Sequence, residues 1–129
     1  MEYNLIYRSI EKEILPFLRE RNIQALTYSP LYNGYLTTKF DENYPFPEND
    51  YRKHSELYRF KENFEITQEL FKTLKEIAKD NEVTPAEIAL NWLLKDNDII
   101  PIIGSSKIEH LKSNIHATQW SLSKDEISR

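Results

Sequence analysis

Residues 99–103 read Ile-Ile-Pro-Ile-Ile, an uninterrupted apolar run between polar segments. Such a run is typical of a strand in a parallel sheet, where both faces of the strand are buried. Pro101 limits where this strand can lie in the sheet. Proline cannot donate a hydrogen bond to a neighbouring strand, so it needs a special position. The run predicts an α/β fold in which residues 99–103 form a buried parallel strand.

A second strand is predicted at residues 23–28, where a short apolar run ends at Ser29-Pro30. Apolar residues recur at helical spacing just before it, which predicts an amphipathic helix over about 9–21. Pro16 lies within this pattern and lacks a backbone donor, so we expect a kink or a later regular start. Helix, tight turn and strand together form the second half of a βαβ unit.

Further helices follow from periodicity and from their start signals. Residues 64–81 carry one apolar face at helical spacing. Three segments place a glutamate three positions after a serine or threonine, which is the pattern of a capping box at a helix start. They begin at Thr84, Ser106 and Ser123. We therefore expect helices that run to about Lys95 and Ile115, and a short helix at the end of the chain.

The remaining segment, from about 30 to 63, sustains no periodicity and predicts a long surface loop that could contain a short helical turn. Loops of this length in compact domains are usually functional or mobile. With 129 residues, of which 40% are hydrophobic and 29% charged, the chain is expected to form a single domain over residues 1–129.

Composition excludes several classes of function. The net charge of -4 and the lack of a basic stripe argue against a nucleic-acid partner. There is no cysteine, and the three histidines do not have zinc-site spacing, so no metal site is expected. No apolar run approaches the roughly 20 residues that cross a bilayer, which predicts a cytoplasmic protein without a membrane partner. The acidic residues and histidines form no recognisable catalytic group, so no catalytic residue is assigned.

Two predicted loops could bind a ligand, because each follows the carboxyl end of a strand, where α/β sheets bind theirs. Gly104 lets backbone approach a ligand, and the helix start beside Ser106 and Lys107 attracts anions such as phosphate. Alternatively, Ser106 only caps its helix and Gly104 only turns the chain. Tyr28 could stack on a planar ring or be an ordinary rim residue.

Ordered motifs along the whole chain resemble the C-terminal part of an aldo-keto reductase. In order they are "EYN", "EKEILPFLRERNI", "YSPLYNGYLTTKF", "FPENDYR", "ENF", "VTPAEIALNWLL" and "IPIIGSSKIEHLKSN". Members of that family are (β/α)₈ TIM barrels of about 250 residues or more, which bind NADPH and reduce aldehydes or ketones. The resemblance implies a partial (β/α)₈ barrel, about the last third to half, with two or three parallel strands and about five helices.

The resemblance also implies roles for particular residues in binding NADP(H). Tyr28 matches the aromatic residue that stacks on the nicotinamide, and the next three residues match the pyrophosphate loop. Two cations of the predicted loop match groups that clasp the pyrophosphate. The last five match the sites for the 2′-phosphate and the adenine. The full set is Tyr28, Ser29, Pro30, Leu31, Lys39, Arg52, Gly104, Ser106, Lys107, His110 and Asn114.

Departures from the family pattern concern both affinity and catalysis. Ser113 stands where many relatives have a glutamate, and Thr38 replaces a frequent glycine, so affinity or cofactor preference is expected to differ. The family's catalytic aspartate, tyrosine, lysine and histidine lie upstream of the segment resembled here. We therefore expect a reductase fragment that is inactive alone, and that self-associates or is complemented by an N-terminal half. The alternative is a non-catalytic module that binds nucleotides or other proteins.

Overall fold

A computed structural model describes residues 1–41, 43–59 and 61–129. Its helices are α1 (Ile14–Arg19), α2 (Glu56–Arg59), α3 (Lys61–Asp80), α4 (Pro85–Leu94), α5 (Ile108–His116) and α6 (Lys124–Ser128). Strands β1 (Ala25–Thr27) and β2 (Ile99–Pro101) pair in parallel, with Leu26 opposite Ile100. Short 3₁₀ segments lie at Ser9–Glu11, Tyr32–Thr37 and Tyr51–His54, and the second of them is kinked at Asn33 and Gly34. The predicted α/β class with two parallel strands is confirmed.

Local chemistry explains where these helices begin. Thr84 and Glu87 form the predicted capping box at the start of α4, with Pro85 in the first turn, and Ser123 and Glu126 form the one at α6. The helix predicted over 9–21 is shorter, because α1 begins only at Ile14. Pro16 therefore falls in the first turn, where a backbone amide has no partner within the helix and its absence costs little.

Glu87 also joins α4 to α5. Its buried carboxylate accepts a hydrogen bond from the Thr84 hydroxyl at 2.7 Å and lies 2.7 Å from Nδ1 of His116. Burial alone raises the pKa of Glu87, but hydrogen bonds from Thr84, His116 and Ser113 outweigh that effect and hold the pKa below its ordinary value. His116 is thus a helix-face histidine with a structural partner.

The two faces of the sheet differ in exposure. Ala25, Thr27 and Ile99 point into the core and are at most 4% exposed. On the other face Leu26 is 58% exposed and Ile102, which follows β2, is 57% exposed. The prediction that 99–103 is buried on both faces is therefore wrong, because helices cover one face of the sheet and no described element covers the other.

Pro101 lies at the outer edge of the sheet. The amide of Ile102 donates to the carbonyl of Thr27 at 2.7 Å, so the amides of alternate residues of β2 point toward β1. Residue 101 faces the opposite way and stands opposite Thr27 in the register. Its missing N–H therefore removes no hydrogen bond between the strands, which is the special position that the sequence predicts.

The main core lies between the sheet and helices α3 and α4. Helix α4 is buried on nearly every side, as its composition predicts, and Leu93 in its last turn is 1% exposed. From α3, the inward face supplies Leu74, Ile77 and Ala78. None of the helices within the described ranges is long and apolar enough to cross a bilayer.

A second core forms within the segment predicted as a surface loop. Tyr35 is completely buried, and its ring lies 5.5 Å from that of Tyr58 and 5.1 Å from that of Phe64. Phe40 and Phe46 pack around this aromatic cluster. Part of segment 30–63 thus folds on aromatic contacts rather than lying on the surface; its residues Glu42 and Phe60 lie outside the described ranges.

Candidate functional site

Both predicted binding loops begin at the carboxyl ends of the two strands, on the same end of the sheet. Because β1 and β2 are parallel and Thr27 is opposite Pro101, the turns that follow them start side by side. The first residues of the chain run along the free side of β1: the amide of Tyr28 donates to the carbonyl of Met1 at 2.8 Å, and Glu2 forms a parallel bridge with Tyr28. The backbone of Tyr28 is therefore held by the first residues of the chain, while its side chain remains 52% exposed.

Ser29 turns the chain sharply after β1. Its φ is 55°, in the left-handed region that residues other than glycine rarely adopt. The carbonyl of Ser29 accepts two hydrogen bonds, from Nδ2 of Asn4 at 3.0 Å and from the amide of Tyr32 at 2.9 Å. The predicted site residue Pro30 is buried beside it, and Leu31 packs partly against the core. The structure thus brings Tyr28 and the three residues after it together in one hydrogen-bonded turn.

Asn4 holds this turn through its side chain, a role that was not predicted from the sequence. It is completely buried, and besides its bond to Ser29 its Oδ1 accepts from the amides of Ile6 and Tyr7 at 2.9 and 2.8 Å. The motif "EYN" contains this residue, so the signal was present. A buried asparagine cannot be told from a surface asparagine by residue type alone.

The second loop leaves open space at its tip. A Cβ added to Gly104 would meet no atom within 4 Å, and the φ of Gly104 lies outside the left-handed region. The glycine is therefore not required by the local backbone, and the space beside it is available to a ligand.

The predicted capping box at Ser106 is wrong. Helix α5 begins at Ile108 with Lys107 as its N-cap, and no side chain caps it. Glu109 then stands one position too early to reach back as a capping-box glutamate does. The Ser105 hydroxyl instead donates to the carbonyl of Lys107 at 2.9 Å. The amides of the first turn of α5 are therefore left without a side-chain acceptor.

The start of α5 suits an anion. Uncapped first-turn amides and the positive end of the helix dipole attract negative charge. Lys107 and Ser106 are exposed beside them, and the ammonium of Lys107 forms no ion pair with a described carboxylate. Further along α5, His110 is exposed and Asn114 is 9% exposed, and the amide of Asn114 has no hydrogen-bond partner among the described residues.

The two predicted loop cations differ in freedom. Lys39 is exposed and pairs with no carboxylate in the described part of the chain. Arg52 is held: its Nη2 lies 2.6 Å from Oδ2 of Asp50, and its guanidinium lies 4.8 Å from the rings of both Phe40 and Phe46. Hydrogen bonds from Arg52 hold the pKa of Asp50 below its usual range. Arg52 therefore anchors the aromatic cluster and has only part of its guanidinium available for a ligand.

Comparisons with known proteins agree with this architecture. The model of the aldo/keto reductase family matches residues 1–129. The chain is 35% identical to aldo-keto reductase yakc of Schizosaccharomyces pombe, whose name specifies NADP(+), over 95% of the chain and 37% of that protein. It is also 35% identical to probable aldo-keto reductase 1 of Glycine max, over 98% of the chain and 36% of that protein.

A solved structure shows the same arrangement of elements. The glycerol dehydrogenase of Gluconobacter oxydans superposes with a TM-score of 0.85 at 28% identity, over 98% of this chain and 38% of that one. The predicted partial barrel of the aldo-keto reductase type is confirmed, since the chain spans little more than a third of the proteins it matches. By its sequence over its full length and by its fold, the chain belongs to the aldo/keto reductase family.

Proposed function

We propose that the residues of the two loops that follow β1 and β2, together with the start of α5, form the NADP(H)-binding side of an aldo-keto reductase site for carbonyl reduction. The observation that carries the proposal is the uncapped start of α5, with Lys107 beside it. It follows the carboxyl end of β2, and the Ser29 turn follows the neighbouring end of β1. An uncapped helix start and a hydrogen-bonded turn, both at the carboxyl ends of the strands, suit a ligand with phosphate groups. The NADP(+) in the name of the yeast relative supports the choice of cofactor.

The residues present fit such a cofactor. The exposed ring of Tyr28 is free to stack on the nicotinamide, and the turn at Ser29, Pro30 and Leu31 borders the pyrophosphate. Lys39 and the remaining donors of Arg52 would clasp it from the loop. Gly104, Ser106 and Lys107 would hold the 2′-phosphate, and His110 and Asn114 would hold the adenine. The amide of Asn114, which has no hydrogen-bond partner among the described residues, is available for the last assignment.

Bound NADPH would supply a hydride, but carbonyl reduction also needs a group that donates a proton to the substrate oxygen. The residues that supply it in the family, an aspartate, a tyrosine, a lysine and a histidine, match no residue of this chain, and Glu2, which forms a backbone bridge with Tyr28, is assigned no such role. We therefore propose that the 129 residues alone bind the cofactor without turning over a carbonyl substrate.

Titration and assay of the isolated chain test both parts of the proposal. NADPH is expected to quench the fluorescence of the chain saturably, while oxidation of NADPH with a panel of aldehydes stays at the rate of the buffer control. The physical reason is that the proposed binding groups are present, whereas no proton donor is assigned among the described residues. Absence of saturable binding would overturn the cofactor assignment, and turnover that copurifies with the chain would overturn the proposed inactivity.

A second function, association with another polypeptide, is favoured by the uncovered sheet face. Leu26, Ile100 and Ile102 lie together on this face and are 58%, 40% and 57% exposed. Contiguous apolar surface of this kind marks an interaction site more often than a solvated one. We propose that a second copy of the chain, or a complementing N-terminal half, covers it.

Sedimentation of the chain tests association. We expect a concentration-dependent mass above that of the monomer, and a shift toward the monomer for Ile102→Lys, because a charge in this face must be desolvated on association. The matched control is Ile66→Lys on α3, since Ile66 is 80% exposed away from the sheet. A chain that sediments as a monomer at all concentrations, or equal effects of both variants, would contradict the proposal.

A further inference from the structure

Asn4 connects the turn of residues 4–7 to the first loop. It is completely buried, and all of the polar groups of its side chain are used: Oδ1 accepts from the amides of Ile6 and Tyr7, and Nδ2 donates to the carbonyl of Ser29. The backbone amide of Asn4 also donates to the carbonyl of Tyr7 at 3.2 Å. Residues 4–7 are thereby closed into a compact turn that presents one amide donor to Ser29.

Ser29 needs an external restraint. A serine at a φ of 55° is strained, and such conformations persist only where surrounding contacts determine them. The carbonyl of Ser29 is fixed from two sides, by Asn4 at 3.0 Å and by the amide of Tyr32 at 2.9 Å. Tyr32 belongs to the same loop, so Asn4 is the restraint that comes from outside it.

We infer that Asn4 is a positioning residue that holds Tyr28 and Ser29 in the conformation that binds the nicotinamide and pyrophosphate. This inference rests on the proposed function. Asn4 touches no part of the expected ligand, and acts by keeping the binding-competent loop populated. If only a fraction of molecules has the competent loop, the apparent Kd rises by the inverse of that fraction.

The structure provides a matched control in Asn91. It is also a buried asparagine, 4% exposed, with three side-chain hydrogen bonds: Nδ2 donates to the carbonyls of Ala117 and Trp120, and Oδ1 accepts from the amide of Leu122. These bonds fix the segment between α5 and α6, at the end of α5 remote from Lys107. Substitution of either asparagine by aspartate keeps the shape and removes the N–H donors.

The expected result separates positioning from general destabilisation. Both Asn4→Asp and Asn91→Asp should lower the Tm. At a temperature where both remain folded, Asn4→Asp should raise the Kd for NADPH and for NADH by the same factor, at least about tenfold, since the carbonyl of Ser29 loses one of its two donors and faces a carboxylate oxygen instead. Asn91→Asp should change either Kd less than twofold. The equal effect on both dinucleotides follows because the loop serves the part that they share.

The inference is overturned if Asn4→Asp leaves both Kd values within twofold, or if Asn91→Asp raises them as much. Asn4→Ala, which removes the same bonds without a charge, replaces the aspartate variant if that one does not fold. Amide hydrogen exchange gives a readout that needs no cofactor: the amide of Tyr32 should exchange faster in the Asn4 variant than in the Asn91 variant. If the unsubstituted chain binds neither dinucleotide, the proposed function fails, and this exchange result alone decides whether Asn4 fixes the loop.

Discussion

Replacing Ser106 and Lys107 together with alanine should raise the Kd for NADPH by about 10- to 100-fold, because a charged hydrogen bond contributes about 1.5–3 kcal/mol. The Kd for NADH should change by less than about threefold, since NADH lacks the 2′-phosphate that an uncapped helix start and an ammonium would bind. Fluorescence titration with both dinucleotides measures the two values on one preparation.

This double substitution is expected to change binding without changing the stability of the fold. Ser106 does not cap α5, and Lys107 pairs with no carboxylate in the described ranges, so neither change removes a contact that stabilises the fold. A matched control is Lys112→Ala, which removes an exposed cation further along α5. Equal loss of affinity for NADPH and NADH would show that the start of α5 does not hold the 2′-phosphate.

Substitution of Leu93 by alanine should lower the free energy of unfolding by about 2–5 kcal/mol, the usual cost of removing a large buried side chain. Leu93 is 1% exposed and lies in the main core between the sheet and the helices. For a chain of ordinary stability, about 5–15 kcal/mol, this is a large share of the total. Urea unfolding followed by circular dichroism measures the change.

Leu111→Ala provides the comparison, because Leu111 is 51% exposed on α5 and should cost less than about 1 kcal/mol. A similar loss for both leucines would mean that α4 is not the centre of the core. A large loss for Leu111 alone would mean that α5 packs against a surface outside the described contacts.

The capping-box pattern predicted two of three helix starts correctly. Thr84 and Ser123 form real capping boxes, whereas the same pattern at Ser106 does not, because α5 starts two residues after it. The pattern requires the glutamate at the third helical position. Sequence spacing fixes the distance along the chain but not the residue at which helical dihedral angles begin.

Features that depend on distant contacts were the ones missed. The aromatic cluster joins Tyr35 to Phe64 across a segment with no periodicity, so no local sequence pattern predicts it. The exposure of Leu26 and Ile102 does not follow from the apolar runs, because apolar composition marks a strand but does not show how many of its faces are covered; it is expected only from the resemblance to part of a barrel, which leaves inner strand faces uncovered. The burial of Asn4 likewise depends on a turn 25 residues away.

Pro101 limits the ways in which copies of this chain can aggregate. A strand that docked along the outer side of β2 would find no N–H at this residue, which leaves a gap in the ladder that growing fibrils need. Stacking of apolar faces ends when the faces are covered, whereas strand addition at an edge has no natural end. One proline thus directs self-contact toward assemblies of limited size.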